Sequence, residues 1–135
     1  MATIRKVDYF VLHAPNRPGQ GARLMRALKE RKVNLLAMSA FPDERGSQVD
    51  LVPESAAELK AAARAIGVDL EGAKKGFLVH GKDRVGVLTK ILDKLGAAKI
   101  NVTAIDAVST GKKFGAIFWV KPADVLRAAK VLGAK

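Results

Sequence analysis

Residues 76–87 read GFLVHGKDRVGV, and residues 9–20 read YFVLHAPNRPGQ, so one stretch returns 67 positions later in the chain. A repeat of this length is too long for most solenoid units and matches the size of a small domain. The 135 residues therefore predict two small domains, residues 1–72 and residues 73–135. The residues identical at this offset are His13 and His80, Arg17 and Arg84, Gly19 and Gly86, Leu28 and Leu95, Asn34 and Asn101, and Ala37 and Ala104.

The hydrophobic pattern gives the same order of elements in both halves. In the second half, apolar spacing predicts a strand over 77–80, a helix over 85–97, a hairpin over 101–120 and a last helix. The first half ends in a further short strand over 68–70. This order predicts an α+β fold of two ferredoxin-like βαββαβ domains, each with two helices on one face of an antiparallel sheet. We expect the two sheets to associate edge to edge.

One strand of the second half is missing from its expected place. After Leu132 only Gly133-Ala134-Lys135 follow, too few for a fourth strand. By the repeat offset, the residues before Tyr9 correspond to the region where the first half has its fourth strand. Two interpretations follow: Thr3–Lys6 complete the second sheet, or the second domain has three strands beside a frayed N-terminus.

Composition excludes several classes of function. The absence of cysteine rules out disulfides, thiolate metal sites and cysteine nucleophiles. The first residues do not resemble a signal peptide, and no apolar run reaches membrane-spanning length, so a cytoplasmic protein is expected. His13 and His80 have no acidic cluster beside them in sequence, and neither a metal nor a cofactor is predicted. The net charge of +11 favours acidic partners, but the basic residues are spread along the chain.

A family resemblance covers nearly the whole chain. Residues 81–88, GKDRVGVL, followed by residues 97–104, AAKINVTA, resemble the ACT domain family, small regulatory βαββαβ domains that bind amino acids. The first half has the looser match Asn16-Arg17-Pro18-Gly19 and Val33-Asn34-Leu35. The resemblance implies a stand-alone tandem ACT protein, with a free amino acid or analogue as ligand. It also implies an enzyme or regulator of amino-acid metabolism as partner.

The chemistry of the repeated turn agrees with ligand binding. A glycine allows close approach of a ligand, and a helix N-terminus offers unpaired N–H groups and partial positive charge to a carboxylate. Asn16 and Asp83 either cap the following helices or accept bonds from an ammonium group. For each residue alone a structural role is also open, and only the repetition of the complete turn favours binding. The predicted ligand-binding residues are Asn16, Arg17, Pro18, Gly19, Asn34, Asp83, Arg84, Val85, Gly86, Asn101 and Val102.

Two rival functions share this fold. An RNA-recognition domain stacks bases on third-strand aromatics, and residues 112–119, KKFGAIFW, are similar to its motif. The second stacking position is Ala116, however, so a nucleic acid is not the expected partner. An acylphosphatase-like enzyme would need a complete anion loop, of which Arg84 and Asn101 are only a partial match. We therefore expect a non-catalytic ligand sensor that acts through domain or subunit association, as a homodimer or with its own N-terminus completing the second sheet.

Overall fold

The computed structural model describes residues 2–135, which divide into two compact units. The first unit comprises Asp8–Lys74, and the second comprises residues 2–7 together with Lys75–Lys135. In chain order, residues 2–135 form β1 Thr3–Ala14, α1 Gln20–Glu30, β2 Leu35–Asp43, β3 Gly46–Pro53, α2 Ala56–Ile66, β4 Glu71–Lys82, α3 Thr89–Ala97, β5 Val102–Thr110, β6 Lys113–Val120 and, after a 3₁₀ turn at Pro122–Asp124, α4 Val125–Leu132.

The first unit is a sheet with two helices. Its strand order is β2-β3-β1-β4, and β3 runs antiparallel to both β1 and β2. Alternate strand residues enter the core, where Phe10 and Leu51 meet Leu28 of α1 and Leu59 of α2. Burial of these side chains removes apolar surface from water, which is the main favourable term in folding. Ser55 is the N-cap of α2, and its hydroxyl accepts a hydrogen bond from the Glu58 N–H.

The second unit repeats this plan with the strand order β1-β4-β6-β5. β6 runs antiparallel to both β4 and β5. Phe77 of β4 and Phe118 of β6 are directly opposite each other, and their rings stack with centroids 5.0 Å apart. Ile91 of α3 and Ala128 of α4 cover this pair from the helical layer.

The N-terminal residues belong to the second unit. Ala2 and Ile4 pack against the same apolar core as Phe77 and Leu95, although residues 1–72 were assigned to the first domain from sequence. β1 lies beside β4, the first strand of the second repeat. Residues 2–7 therefore form part of the sheet of the second unit, as the first of the two sequence interpretations predicted.

Three local expectations differ from the structure. The short strand expected at 68–70 and the strand expected at 77–80 are replaced by one strand, β4, which runs from Glu71 to Lys82. The domain boundary expected at 72/73 consequently falls inside this strand. α3 begins at Thr89 rather than at Val85. Residues 85–88 form turns because Gly86 has a φ of 71°, which an α-helix does not accommodate.

Candidate functional site

The predicted turn of the first unit lies between β1 and α1 and is exposed. Gly19 is the N-cap of α1 with a φ of 89°, in the left-handed region that glycine adopts without steric cost. No side chain caps this helix, so Asn16 does not perform the capping role considered for it. Asn16, Arg17 and Pro18 all point into solvent. The first N–H groups of α1 consequently lack a capping side chain, which leaves them available to an anion.

A cleft opens directly beside this turn. It has a volume of about 420 Å³ and is lined by the end of β1, by α1 and by the end of α2. Pro15 and Gln20 of the turn border the cleft, and His13 and Arg23 supply polar groups to its wall. Small-molecule sites have volumes of about 300–1,000 Å³ and carry a few polar groups on a mainly apolar wall. The turn therefore adjoins a space large enough for an amino acid.

Charged side chains surround His13 in the same unit. Its Nδ1 atom is 3.1 Å from Oδ2 of Asp43, and its Nε2 atom is 3.7 Å from Oε1 of Glu71. The same Glu71 oxygen is 3.4 Å from the Arg45 guanidinium. Within residues 2–135 the buried Nδ1 atom lies close to Asp43 but makes no well-aligned hydrogen bond.

Sequence reasoning missed the acidic neighbours of His13. Asp43 ends β2 and Glu71 begins β4, 30 and 58 residues along the chain. The strand register unites them, because His13 pairs with Gln48 on β3 while Asp43 pairs with Gly46. Spacing along the sequence carries no sign of this cluster, whereas a correct strand register would have revealed it.

The corresponding turn of the second unit is anchored differently. Asp83 accepts a hydrogen bond from the Ser109 hydroxyl at 2.5 Å, and its N–H donates to the Lys112 carbonyl at 3.0 Å. Arg84 and Val85 are exposed, and within residues 2–135 Val85 is the most exposed of the large apolar side chains. Gly86 is left-handed, and a β-carbon there would lie 3.3 Å from the Thr89 hydroxyl. Asp83 thus ties the turn to the β5–β6 hairpin rather than capping α3.

Asn34 and Asn101 each lie at the end of their unit that is opposite to the strand-to-helix turn. Ala14 pairs with Ser47 and Leu35 with Pro53, so the end of β1 and the start of β2 are six residues apart on β3, about 20 Å. Asn34 precedes β2 and is bonded to Glu54. Within one unit, then, Asn34 does not meet the turn at Asn16–Gly19.

The second unit shows the same separation. Lys82 pairs with Lys113 and Val102 pairs with Val120, seven residues apart on β6, about 24 Å. Asn101 and Val102 therefore lie far from the turn that holds Asp83 and Gly86. One small ligand therefore cannot contact both the turn and the asparagine of the same unit.

The stacking surface of an RNA-recognition domain is not available. Phe114 and Phe118 retain 5% and 1% of their exposure and lie in the core of the second unit. Trp119 is also buried, at 7%. Bases cannot stack on aromatic rings that the protein itself covers.

The second repeat is similar to a known domain family. Residues 77–134 match the ACT domain. The match extends from β4 through α4 and includes the turn that carries Asp83, Arg84 and Gly86. No curated protein matches the sequence. In residues 2–135, no group of three or more His, Cys, Asp or Glu side chains is arranged to hold a metal ion.

Solved structures resemble the chain over almost its whole length. A protein from Bacteroides thetaiotaomicron has a TM-score of 0.77 at 14% identity, covering 98% of this chain and 88% of that chain. The ligand-free regulatory subunit of aspartate kinase from Thermus thermophilus has a TM-score of 0.66 at 14% identity, covering 98% and 94%. The corresponding subunit from Thermus flavus gives 0.57 at 16% identity, covering 98% and 94%. The predicted α+β, ACT-like fold is thereby confirmed.

None of the helices in residues 2–135 combines the length and the apolar character needed to cross a membrane.

Proposed function

We propose that the chain is a non-catalytic, amino-acid-binding regulatory protein of the cytoplasm, built from two ACT-like domains in tandem. The proposal rests on one observation: the strand-to-helix turn occurs twice, each time with an Asn or Asp, an Arg and a left-handed glycine. The second copy of the turn lies within the stretch that matches the ACT domain. The cleft of about 420 Å³ beside the first copy supports the same reading.

The turn suits the two charged ends of an amino acid. Its α-carboxylate would accept hydrogen bonds from the first N–H groups of the helix, which carry partial positive charge. Its ammonium group would be held by the side-chain oxygen of Asn16 or Asp83. Gly19 and Gly86 leave room for the ligand backbone because no β-carbon projects from the turn.

The separation of the asparagines favours a homodimer. Asn34 and Asn101 lie about 20 Å or more from the turn of their own unit, so we infer that a second copy of the chain offers them to the ligand. A ligand shared by two copies stabilises the associated state. Such differential affinity is what allows binding to change an equilibrium.

The regulated partner is inferred to be an enzyme or regulator of amino-acid metabolism. Two similar structures are regulatory subunits of aspartate kinase, and the likeness covers 98% of this chain in both cases. No nucleophile with its base was found in the sequence, so we propose that the chain itself performs no hydrolysis or group transfer.

Thermal denaturation with each common amino acid at millimolar concentration tests the proposal. A ligand that binds only the native state raises the melting temperature, and calorimetry then gives its affinity. Gly19→Val and Gly86→Val should each abolish the shift for the site they occupy. Gly133→Val is the matched control, since Gly133 is also left-handed with open space around it but ends α4. Flat calorimetric traces for all amino acids would rule out the sensor.

A further inference from the structure

The positive charge of the chain is concentrated in one unit. The first unit carries 10 Lys and Arg against nine Asp and Glu, a net charge of +1. The second unit carries 14 Lys and Arg against four Asp and Glu, a net charge of +10. The even spread of basic residues along the sequence conceals this difference because the acidic residues are concentrated in the first unit. The structure thus assigns nearly all of the excess charge to the second unit.

Five basic side chains lie at one end of the second unit. Lys82 ends β4 and pairs directly with Lys113, the first residue of β6. Lys112 belongs to the adjoining hairpin, and its carbonyl accepts the Asp83 N–H. Arg84 follows in the turn, and Lys90 is in the first turn of α3. All five are exposed, and this set is called the basic end.

The basic end opposes folding locally. Like charges placed directly opposite each other on neighbouring antiparallel strands destabilise a sheet. Lys82 and Lys113 are such a pair. Asp83, the acidic residue of this turn, accepts a hydrogen bond from Ser109. This arrangement becomes favourable when an anion outside the chain lies against these side chains.

The first repeat shows that the fold does not require this charge. Its hairpin reads Asp43-Glu44-Arg45-Gly46 where the second hairpin reads Thr110-Gly111-Lys112-Lys113. Arg45 is 3.4 Å from Glu71, whereas no acidic side chain in residues 2–135 lies within ion-pair distance of Lys112. The arginine of the first hairpin is therefore paired within its own unit. The second hairpin instead presents Lys112 and Lys113 to an external partner.

We propose that the basic end of the second unit binds the phosphate groups of a nucleic-acid strand. Four of its five basic groups are lysines, which bind phosphate as compact point charges, and basic residues clustered on one surface are typical of nucleic-acid binding. The N-terminus of α3 adds N–H groups, which contact phosphates in many such complexes. Phe114 and Phe118 are buried, so bases are not stacked and the binding is independent of sequence.

Fluorescence polarisation with a labelled single strand of about 20 nucleotides tests the proposal at about 50 and about 200 mM salt. The test variant replaces Lys82, Lys90, Lys112 and Lys113 by Gln. The control variant replaces Lys94, Lys99, Lys121 and Lys130, which are also exposed lysines of the second unit. Both sets remove four charges, and each includes one lysine with positive φ, Lys112 at 65° or Lys99 at 59°.

We expect the test variant to lose at least about tenfold in affinity at the lower salt, and its salt dependence to become shallower by up to about 0.7 per lysine removed. The control variant should retain most of its affinity. Equal losses in the two variants would show that only net charge matters, and would overturn the basic end as a site. Binding to phosphatidylserine vesicles without binding to the oligonucleotide would overturn the choice of partner. Amino-acid binding is measured separately, since neither variant changes Asp83, Arg84 or Gly86.

Discussion

Asn34 and Glu54 hold each other at the edge of the first unit. The Asn34 amide Nδ2 donates to Oε2 of Glu54 at 2.8 Å, and the Glu54 N–H donates to the Asn34 carbonyl at 2.9 Å. The pair joins the residue before β2 to the residue after β3. The equivalent Asn101 of the second unit is exposed, and its side chain makes no hydrogen bond within residues 2–135.

Substitution of Asn34 and of Asn101 should affect the stability of the protein differently. Asn34→Ala removes a side-chain hydrogen bond and should lower the free energy of unfolding by about 0.5–1 kcal/mol, because the site is exposed. Asn101→Ala should leave it unchanged. Urea denaturation measures both values. If Asn101→Ala also proved destabilising, this asparagine would have a structural partner that the fold does not show.

Substitution of the glycines of the two turns by alanine should lower the free energy of unfolding. Gly19 and Gly86 have φ values of 89° and 71°, and the left-handed conformation costs an L-residue about 1–2 kcal/mol. We expect Gly19→Ala and Gly86→Ala to lose about that amount in urea denaturation. Gly21→Ala is the control, since Gly21 lies inside α1 with open space around it, and it should gain about 0.5–1 kcal/mol.

Ionisation of the Tyr9 phenol should lower the stability of the protein at alkaline pH. Burial raises the pKa of Tyr9 above its ordinary value of 10.0, and the nearby carboxylate of Asp50 raises it further. The folded state keeps the phenol proton where the unfolded state loses it, so this contribution is complete below pH 10 and disappears as pH rises through the folded pKa. Because the chain has one tyrosine, absorbance near 295 nm reports this group alone.

Tyr9→Phe is the control for that titration. The alkaline decrease in stability should become smaller in this variant, while lysine titration continues to affect both proteins. A phenolate midpoint at or below pH 10 would contradict the burial of Tyr9.

Removal of the repulsion between Lys82 on β4 and Lys113 on β6 should stabilise the second unit. Lys113→Glu replaces a repulsive cross-strand pair with an attractive one and should raise the free energy of unfolding by about 0.2–1 kcal/mol. Fluorescence of the single tryptophan, Trp119, follows the second unit during unfolding. The same substitution at Lys121, where no strand pairing is at stake, should change stability less. Lower stability of Lys113→Glu would indicate that the two lysines are held apart.

Residues 2–7 should stabilise the second unit although they precede the first in sequence. Ile4 packs against the core of the second unit and is partly buried, so Ile4→Ala should cost about 1–2 kcal/mol in unfolding followed by Trp119 fluorescence. Thr3→Ala, at an exposed neighbouring position, should have no effect. Deletion of residues 2–6 should lower the melting temperature further. An unchanged melting temperature would remove the N-terminal residues from the folded unit.

Much of the fold follows from the sequence because apolar periodicity reports which face of each element is buried. The repeat correctly predicted that each half has a helix after its first strand and a hairpin after that helix. The sequence left Thr3–Lys6 open as a strand of the second sheet, but it did not predict that these residues continue into the strand at Tyr9, or that Lys74 and Lys75 lie within β4. Their backbone groups are satisfied by neighbouring strands, and such long-range pairing leaves no pattern in local composition.

The candidate site was only partly accessible to the same reasoning. Motif spacing located the two turns, because tight turns require glycine at a fixed position. It also grouped Asn34 with Gly19 and Asn101 with Gly86, although each pair is divided by the length of a strand. The contacts of His13 with Asp43 and Glu71 depend on strand register, which the sequence does not state.

The distribution of the second unit over two stretches of the chain has a consequence for biosynthesis. Residues 2–7 are synthesised before the first unit, whereas Lys75, where the rest of the second unit begins, follows Val7 by 68 residues. At a synthesis rate of about 5–20 residues per second, roughly 3–14 s pass between the synthesis of Val7 and that of Lys75. During that interval the contiguous first unit has all of its residues available. The apolar N-terminal segment is then a temporary target for chaperones or for a neighbouring nascent chain.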